Sequence, residues 1–253
     1  MIALSSPALS LMPLAEAIEL VARDFKAWEI VGEGKHFLPD IEKELAGSLP
    51  SYELEMSVHS PLSDINIGSL NPRLRQAALS DVLRTVECAG RLGLNPITVH
   101  PGFLTPLAYL DREGAKSATK DSLRLIEKAG KEHGVTVALE NMPDMPISMI
   151  TTPKALKELL DGTELSICFD IGHAHTTHNV DAYLEMHDRF ANIHIHDNDG
   201  RWDQHLPIGM GSIDFPPILR RLASYKGRYV IEARELKEAP GSQQRLKRLF
   251  SEL

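Results

Sequence analysis

Eight times along the chain a short β-rich run gives way to an amphipathic helical segment. The runs are IALSS (2–6), WEIVG (28–32), LEMSVHS (54–60), PITVHPG (96–102), VTVALEN (135–141), LSICFDIGH (165–173), NIHIHD (192–197) and YVIEAR (229–234). Several are apolar on both alternating sets of positions, as parallel strands covered on both faces should be. The helical segments have recognisable ends. In NPRLRQAALSDVLRTVECAGRLG, Asn71 caps, Pro72 takes the first helical position and Gly93 stops the helix. Thr152, Pro153 and Gly162 do the same for TTPKALKELLDG, and a last helix is expected near residues 242–253.

Eight βα units with no block of sequence left over predict an α/β fold: a (β/α)₈ TIM barrel, a single domain over residues 1–253. The length suits one large core, and 43% hydrophobic with 25% charged residues and no low-complexity tract is ordinary globular composition. A doubly wound sheet is the structural alternative, but SSPALSLMP stands after the first strand where a glycine-rich nucleotide fingerprint would be.

The amino-terminal MIALSSPALS has no basic signal-peptide region, and no apolar run approaches the roughly 18 residues of a membrane span. We therefore expect a cytoplasmic protein with no membrane partner. Cys88 and Cys168 lack CxxC spacing and read as reduced core residues. The net charge of −8 offers no global footprint for nucleic acid, although a local basic surface is compatible with it.

In a barrel the carboxyl ends of all strands converge on one rim. The runs above bring His59, His100, Glu140, Asp170 with His173, His194 and Glu232 to that rim. Any one of these alone reads as a satisfied polar residue or a helix cap. Their succession at one end of the barrel is not explained by solvation, because charges are equally welcome at the other end. Imidazoles and carboxylates are ligands for divalent ions, and clustered carboxylates repel one another without a cation.

His194 and His196, two apart, share a strand face. Asp203 and His205 fold back from the following loop, and Gly209 and Gly211 permit the tight return. His36, His133 and His187 are expected at the surface, and His175, His178 and His196 are left open. The segment HPGFLTPLAYLDREG (100–114) reads equally as a lid bearing Phe103 and Tyr109 or as a plain cover.

VHSP, VHPG, LENMP, FDIGHAH, HIHDNDGRWDQHLPIGMGSIDF and VIEAR, in that order, resemble the xylose isomerase-like TIM barrels, which include sugar isomerases and epimerases and endonuclease IV. The resemblance implies dependence on zinc or manganese, one to three ions. In the isomerases and epimerases it implies one ion at Glu140, Asp170, His194 and Glu232, with HIHD matching the family motif when His194 comes first. Glu140 and Glu232 are then the acid/base pair for enediolate chemistry on a carbohydrate, and His173 steadies developing oxygen charge. The arginine those epimerases carry six residues after the metal histidine is absent here: position 200 is Gly, and Arg201 is the nearest candidate.

In endonuclease IV the resemblance implies nine zinc ligands, here His59, His100, Glu140, Asp170, His173, His194, Asp203, His205 and Glu232, and a nucleic-acid partner. Against that reading, Leu62 stands where the endonuclease has an aromatic wedge, and aromatic residues for base stacking are sparse, with Trp202 the main loop candidate. We expect a sugar or sugar-phosphate isomerase or epimerase, with a multi-zinc phosphodiester hydrolase as the alternative. A metal-keeping binding protein ranks third because both acid/base carboxylates are present. The sequence leaves the oligomeric state open.

Overall fold

The computed structural model describes residues 1–253. Eight parallel strands close into a barrel in sequence order: β1 (Ile2–Ser5), β2 (Ala27–Val31), β3 (Glu55–His59), β4 (Ile97–Val99), β5 (Val137–Glu140), β6 (Ser166–Asp170), β7 (Phe190–Ile195) and β8 (Tyr229–Glu232), with β8 pairing back onto β1. Helices surround it, so strands such as β2 and β5 are buried along their whole length. One apolar cluster of 55 residues, including Trp28, Phe169 and Tyr183, makes up most of the buried core.

Local signals end the long helices where the sequence places them. The Asn71 side chain accepts from the Arg73 and Leu74 amides at 3.1 and 3.4 Å, opening the helix Pro72–Leu92, and Gly93 closes it at φ 68°. Thr152 caps Pro153–Leu160 by accepting from the Ala155 amide at 3.2 Å.

Several expectations change. The sixth strand ends at Asp170 rather than at residue 173, because the Asp170 carboxylate accepts the His173 amide at 2.6 Å and starts the helix Ile171–Thr176. His173 thus reaches the rim from a helical turn. The fourth strand shortens to three residues, and the last helix spans Ala239–Ser251. Residues 100–114 are not one loop: Phe103 bridges to Ser148, and Thr105 caps a short helix, Pro106–Leu110. His36, expected at the surface, is fully buried edge-on to Trp28, with centroids 5.7 Å apart. It is drawn inward by the turn at Gly34, whose φ is +60° and whose Cα lies so close to Ser10 that a Cβ would sit 2.8 Å from its carbonyl oxygen. His133 and His187 are exposed, as expected. No helix is long and apolar enough to cross a membrane.

Candidate metal centre

The barrel interior below the carboxyl rim is polar. Glu29, a lone charge in the otherwise apolar β2, is fully buried there and accepts from Ser57 Oγ (2.9 Å), Asn192 Nδ2 (2.6 Å) and His194 Nε2 (2.7 Å). That last bond fixes the His194 ring: Nε2 donates to Glu29, and Nδ1 faces the rim. His194 Nδ1 then lies 3.2 Å from Glu140 Oε1 and 3.1 Å from Glu232 Oε1, with Asp170 Oδ2 at 3.9 Å.

Glu140, at the end of β5, faces a different pair of imidazoles with each oxygen. Oε2 meets His100 Nε2 at 2.9 Å and His59 Nε2 at 3.3 Å, while Oε1 faces His194 and His173 Nδ1, the latter at 3.5 Å. His59 Nδ1 bonds the Ser60 carbonyl at 2.9 Å, which again leaves Nε2 directed inward. His100 touches Glu140 but joins no group in which three or more ligand atoms gather within 4.8 Å of one another.

The outer part of the rim is made by a hairpin. Asp197 and Leu206 exchange backbone bonds of 2.8 Å, and the Asp199 amide donates to Gln204 Oε1 at 2.7 Å, so Asp203 and His205 return over the barrel. His205 holds φ +50°, a left-handed conformation that costs a non-glycine residue of order 1 kcal/mol and persists where surrounding bonds over-determine it. Its ring stacks on His196, with centroids 3.9 Å apart and planes 10° from parallel, and its Nε2 reaches Asp203 at 3.0 Å.

All nine sequence-derived ligand candidates therefore meet at one rim, and seven of them line a cavity of about 270 Å³ with Leu62, Phe103, Met142 and Met145. Glu29 and His196 are the residues the sequence reading missed or left open. Glu29 had a signal, a charge in mid-strand; His196 had only its two-residue spacing from His194. Arg201 is spent on Asp199 at 2.6 Å, whereas Arg234 lines the cavity mouth. Tyr109 lies outside the cavity and ties its helix to the Pro146 carbonyl, and Trp202 is 63% exposed and also outside.

Burial pushes the Glu140 carboxyl up, yet the facing His194 and His100 imidazoles more than offset that and hold it well below the usual range. Burial pushes His173 down, but Asp170 and Asp203 raise it well above an ordinary histidine. The cluster is thus a dense array of charge-dependent contacts with vacancies in its bonding: Asp170 Oδ2, Asp203 Oδ1, His100 Nδ1 and His196 Nε2 are buried with no hydrogen-bond partner. Buried oxygen and imidazole nitrogen atoms left unpaired in one cluster fit a divalent ion, which satisfies several such acceptors together.

The chain is similar to known proteins along most of its length. The uncharacterized protein MJ1311 of Methanocaldococcus jannaschii is 34% identical over 245 residues, covering 92% of this chain and 84% of that one. A probable endonuclease 4 of Acholeplasma laidlawii is 28% identical over 182 residues, 64% of this chain and 60% of that one. Among solved structures, a D-tagatose 3-epimerase-like protein superposes with a TM-score of 0.91 at 32% identity, covering 99% of this chain and 97% of that one. The TTHB071 protein of Thermus thermophilus, soaked with zinc chloride, gives 0.76 at 25% identity, covering 100% and 99%. The xylose isomerase-like TIM barrel family matches residues 15–250, and the chain belongs to that family.

Proposed function

We propose that the protein is a divalent-metal-dependent isomerase or epimerase of a small sugar or sugar phosphate. The observation that carries this reading is that two carboxylates on different strands, Glu140 and Glu232, both line a small cavity and flank one buried imidazole nitrogen, His194 Nδ1. That cavity is near the low end of the roughly 300–1,000 Å³ range of small-molecule sites. The likeness to a D-tagatose 3-epimerase-like protein at 32% identity supports the same class.

Glu140, Asp170, His194 and Glu232 would hold the ion, which when bound supplies a Lewis acid to polarise the carbonyl and hydroxyl oxygens of an open-chain sugar. The acid–base work belongs to the two glutamates. Both are held in the carboxylate form by neighbouring imidazoles, the form a general base starts from. One takes the proton from the carbon beside the carbonyl, and the C–H electrons move into an enediolate. Return of a proton to the opposite face of that carbon gives the epimer, and return to the neighbouring carbon gives the isomer. His173, with Nδ1 donating to the Asn141 carbonyl at 2.8 Å and Nε2 facing Asp203, shapes the wall beside Glu140. Phe103, Met142 and Met145 keep water away from the reacting carbons.

The test is deuterium exchange. Metal-loaded protein incubated in heavy water with ketopentoses, ketohexoses and their phosphates is expected to incorporate deuterium beside the carbonyl of a turned-over substrate. Glu232→Gln should slow this by about 10²–10⁴-fold. The hydrolase reading is favoured by one observation, the engagement of His59 and His100 with the same Glu140 oxygen. No exchange with any ketose, together with cleavage of abasic DNA that His59→Ala abolishes, overturns the isomerase in favour of the hydrolase.

A further inference from the structure

We propose that the substrate is a short hydroxycarbonyl compound ending in an anionic group, a phosphate or a carboxylate, and that Arg234 binds this group at the cavity mouth. The proposal rests on the isomerase reading of the site and names its substrate class, which neither the fold nor the candidate ligands specify.

The cavity has two kinds of wall. Its imidazoles are turned onto its carboxylates, His59 and His100 onto Glu140 and His173 and His205 onto Asp203, at 2.9–3.6 Å. Among the other side chains that line it, only Ser5 and Arg234 carry a hydroxyl, amide or charged group. The rest are apolar, with Leu62, Phe103, Met142 and Met145 the largest.

That lining limits what can be bound. Two neighbouring oxygens of a hydroxycarbonyl compound are accounted for by the ion, and Ser5, which bonds nothing through its own hydroxyl, can meet one more. A ketohexose would turn its further hydroxyls against thioethers and an aromatic ring, and each one buried without a partner weakens binding about fivefold or more. A chain of about three or four carbons avoids this loss.

Arg234 supplies the positive end. It follows Glu232 by two residues and is the one Lys or Arg side chain lining the cavity. Its Nη2 donates to the Asp203 carbonyl at 2.8 Å, which is its single hydrogen bond within the protein. Asp203 and Glu232 line the same cavity, yet Arg234 forms an ion pair with neither, so its charge is left for a ligand. Arg201, by contrast, is spent on Asp199. The bond to the Asp203 carbonyl ties the guanidinium to the hairpin that carries Asp203 and His205. Its remaining N–H groups keep the planar fork that matches a carboxylate or a phosphate.

The experiment has a binding arm and a turnover arm, on metal-loaded wild type, Arg234→Met and Arg234→Lys. Calorimetry measures glycerol 3-phosphate, D-glycerate and glycerol, which carry no ketone or aldehyde and do not turn over. Deuterium exchange in heavy water measures dihydroxyacetone phosphate, hydroxypyruvate, dihydroxyacetone and neutral ketohexoses. In wild type at least one anion is expected to bind about 10–100-fold more tightly than glycerol. Arg234→Met is expected to lose that preference and Arg234→Lys to keep part of it. Each preference is a ratio within one protein, so a general loss of folded material cancels. Tighter binding of glycerol 3-phosphate assigns a sugar phosphate, and tighter binding of D-glycerate a sugar acid. A preference that survives whole in Arg234→Met belongs to the metal ion and overturns the role of Arg234, as does the absence of any preference in wild type. Exchange of a neutral ketohexose with kcat/KM at or above that of the best three-carbon anion overturns the substrate class and leaves the isomerase reading standing. Exchange with none of the carbonyl compounds overturns the isomerase reading, and the binding arm still decides Arg234.

Discussion

Glu29 shows how a residue remote from substrate governs the rim. Its carboxylate is sealed inside the barrel and accepts from His194 Nε2, so Nδ1 can point only toward Glu140 and Glu232. Burial pushes Glu29 up, and the His194 imidazole more than offsets that and keeps it ionised. Glu29→Gln keeps the shape but lets the amide present either end to the ring. Metal affinity, measured by chelator competition, should fall about 10–100-fold while the far-ultraviolet circular dichroism stays that of wild type. His36 is a separate case. Burial pushes its pKa below the ordinary 6.5, so folding favours the neutral ring. The associated stability is complete above about pH 6.5, the unfolded value, and is lost as pH falls through the lower folded value. Urea midpoints measured across pH 7 to 5 should fall less steeply for His36→Leu than for wild type.

At the scale of elements, caps and short returns decide where side chains arrive. The helix Pro72–Leu92 depends on Asn71 for two amides that no carbonyl of the helix can reach. Asn71→Ala should cost about 1 kcal/mol in urea denaturation and leave metal stoichiometry unchanged, because the Asn71 side chain bonds only amides of its own helix. A larger loss, or a change in bound metal, would show that the cap also supports the rim. Asp170 caps in the same way but at the site itself. By accepting the His173 amide it ends β6 early and turns the next residues into a helix. A strand reaching residue 173 follows from the apolar run in the sequence, whereas the side-chain capping bond that ends it competes with the β ladder only once the chain is folded.

For the molecule as a whole, the ions are expected to contribute to stability as ligands that bind only the folded chain. At about a hundred times the dissociation constant, one ion stabilises by about 2.7 kcal/mol. For a chain of this size that raises the melting temperature by roughly 5–10 °C. Calorimetry of chelated and reloaded protein measures this, and identical melting curves would argue against tight metal binding.

The closed parallel barrel was legible from the eightfold alternation, since strand and helix periods are local properties written in neighbouring residues. So was the set of polar side chains at its mouth, because a parallel barrel sends every strand's carboxyl end to one face. How those side chains are oriented, and what supports them, came from long-range contacts: the bond from His194 to Glu29, 165 residues away, the ring of His196 in the space left by Gly172, and the burial of His36 against Trp28. Such contacts join segments that become neighbours only when the barrel closes, and no spacing along the chain encodes the direction in which an imidazole turns its lone pair.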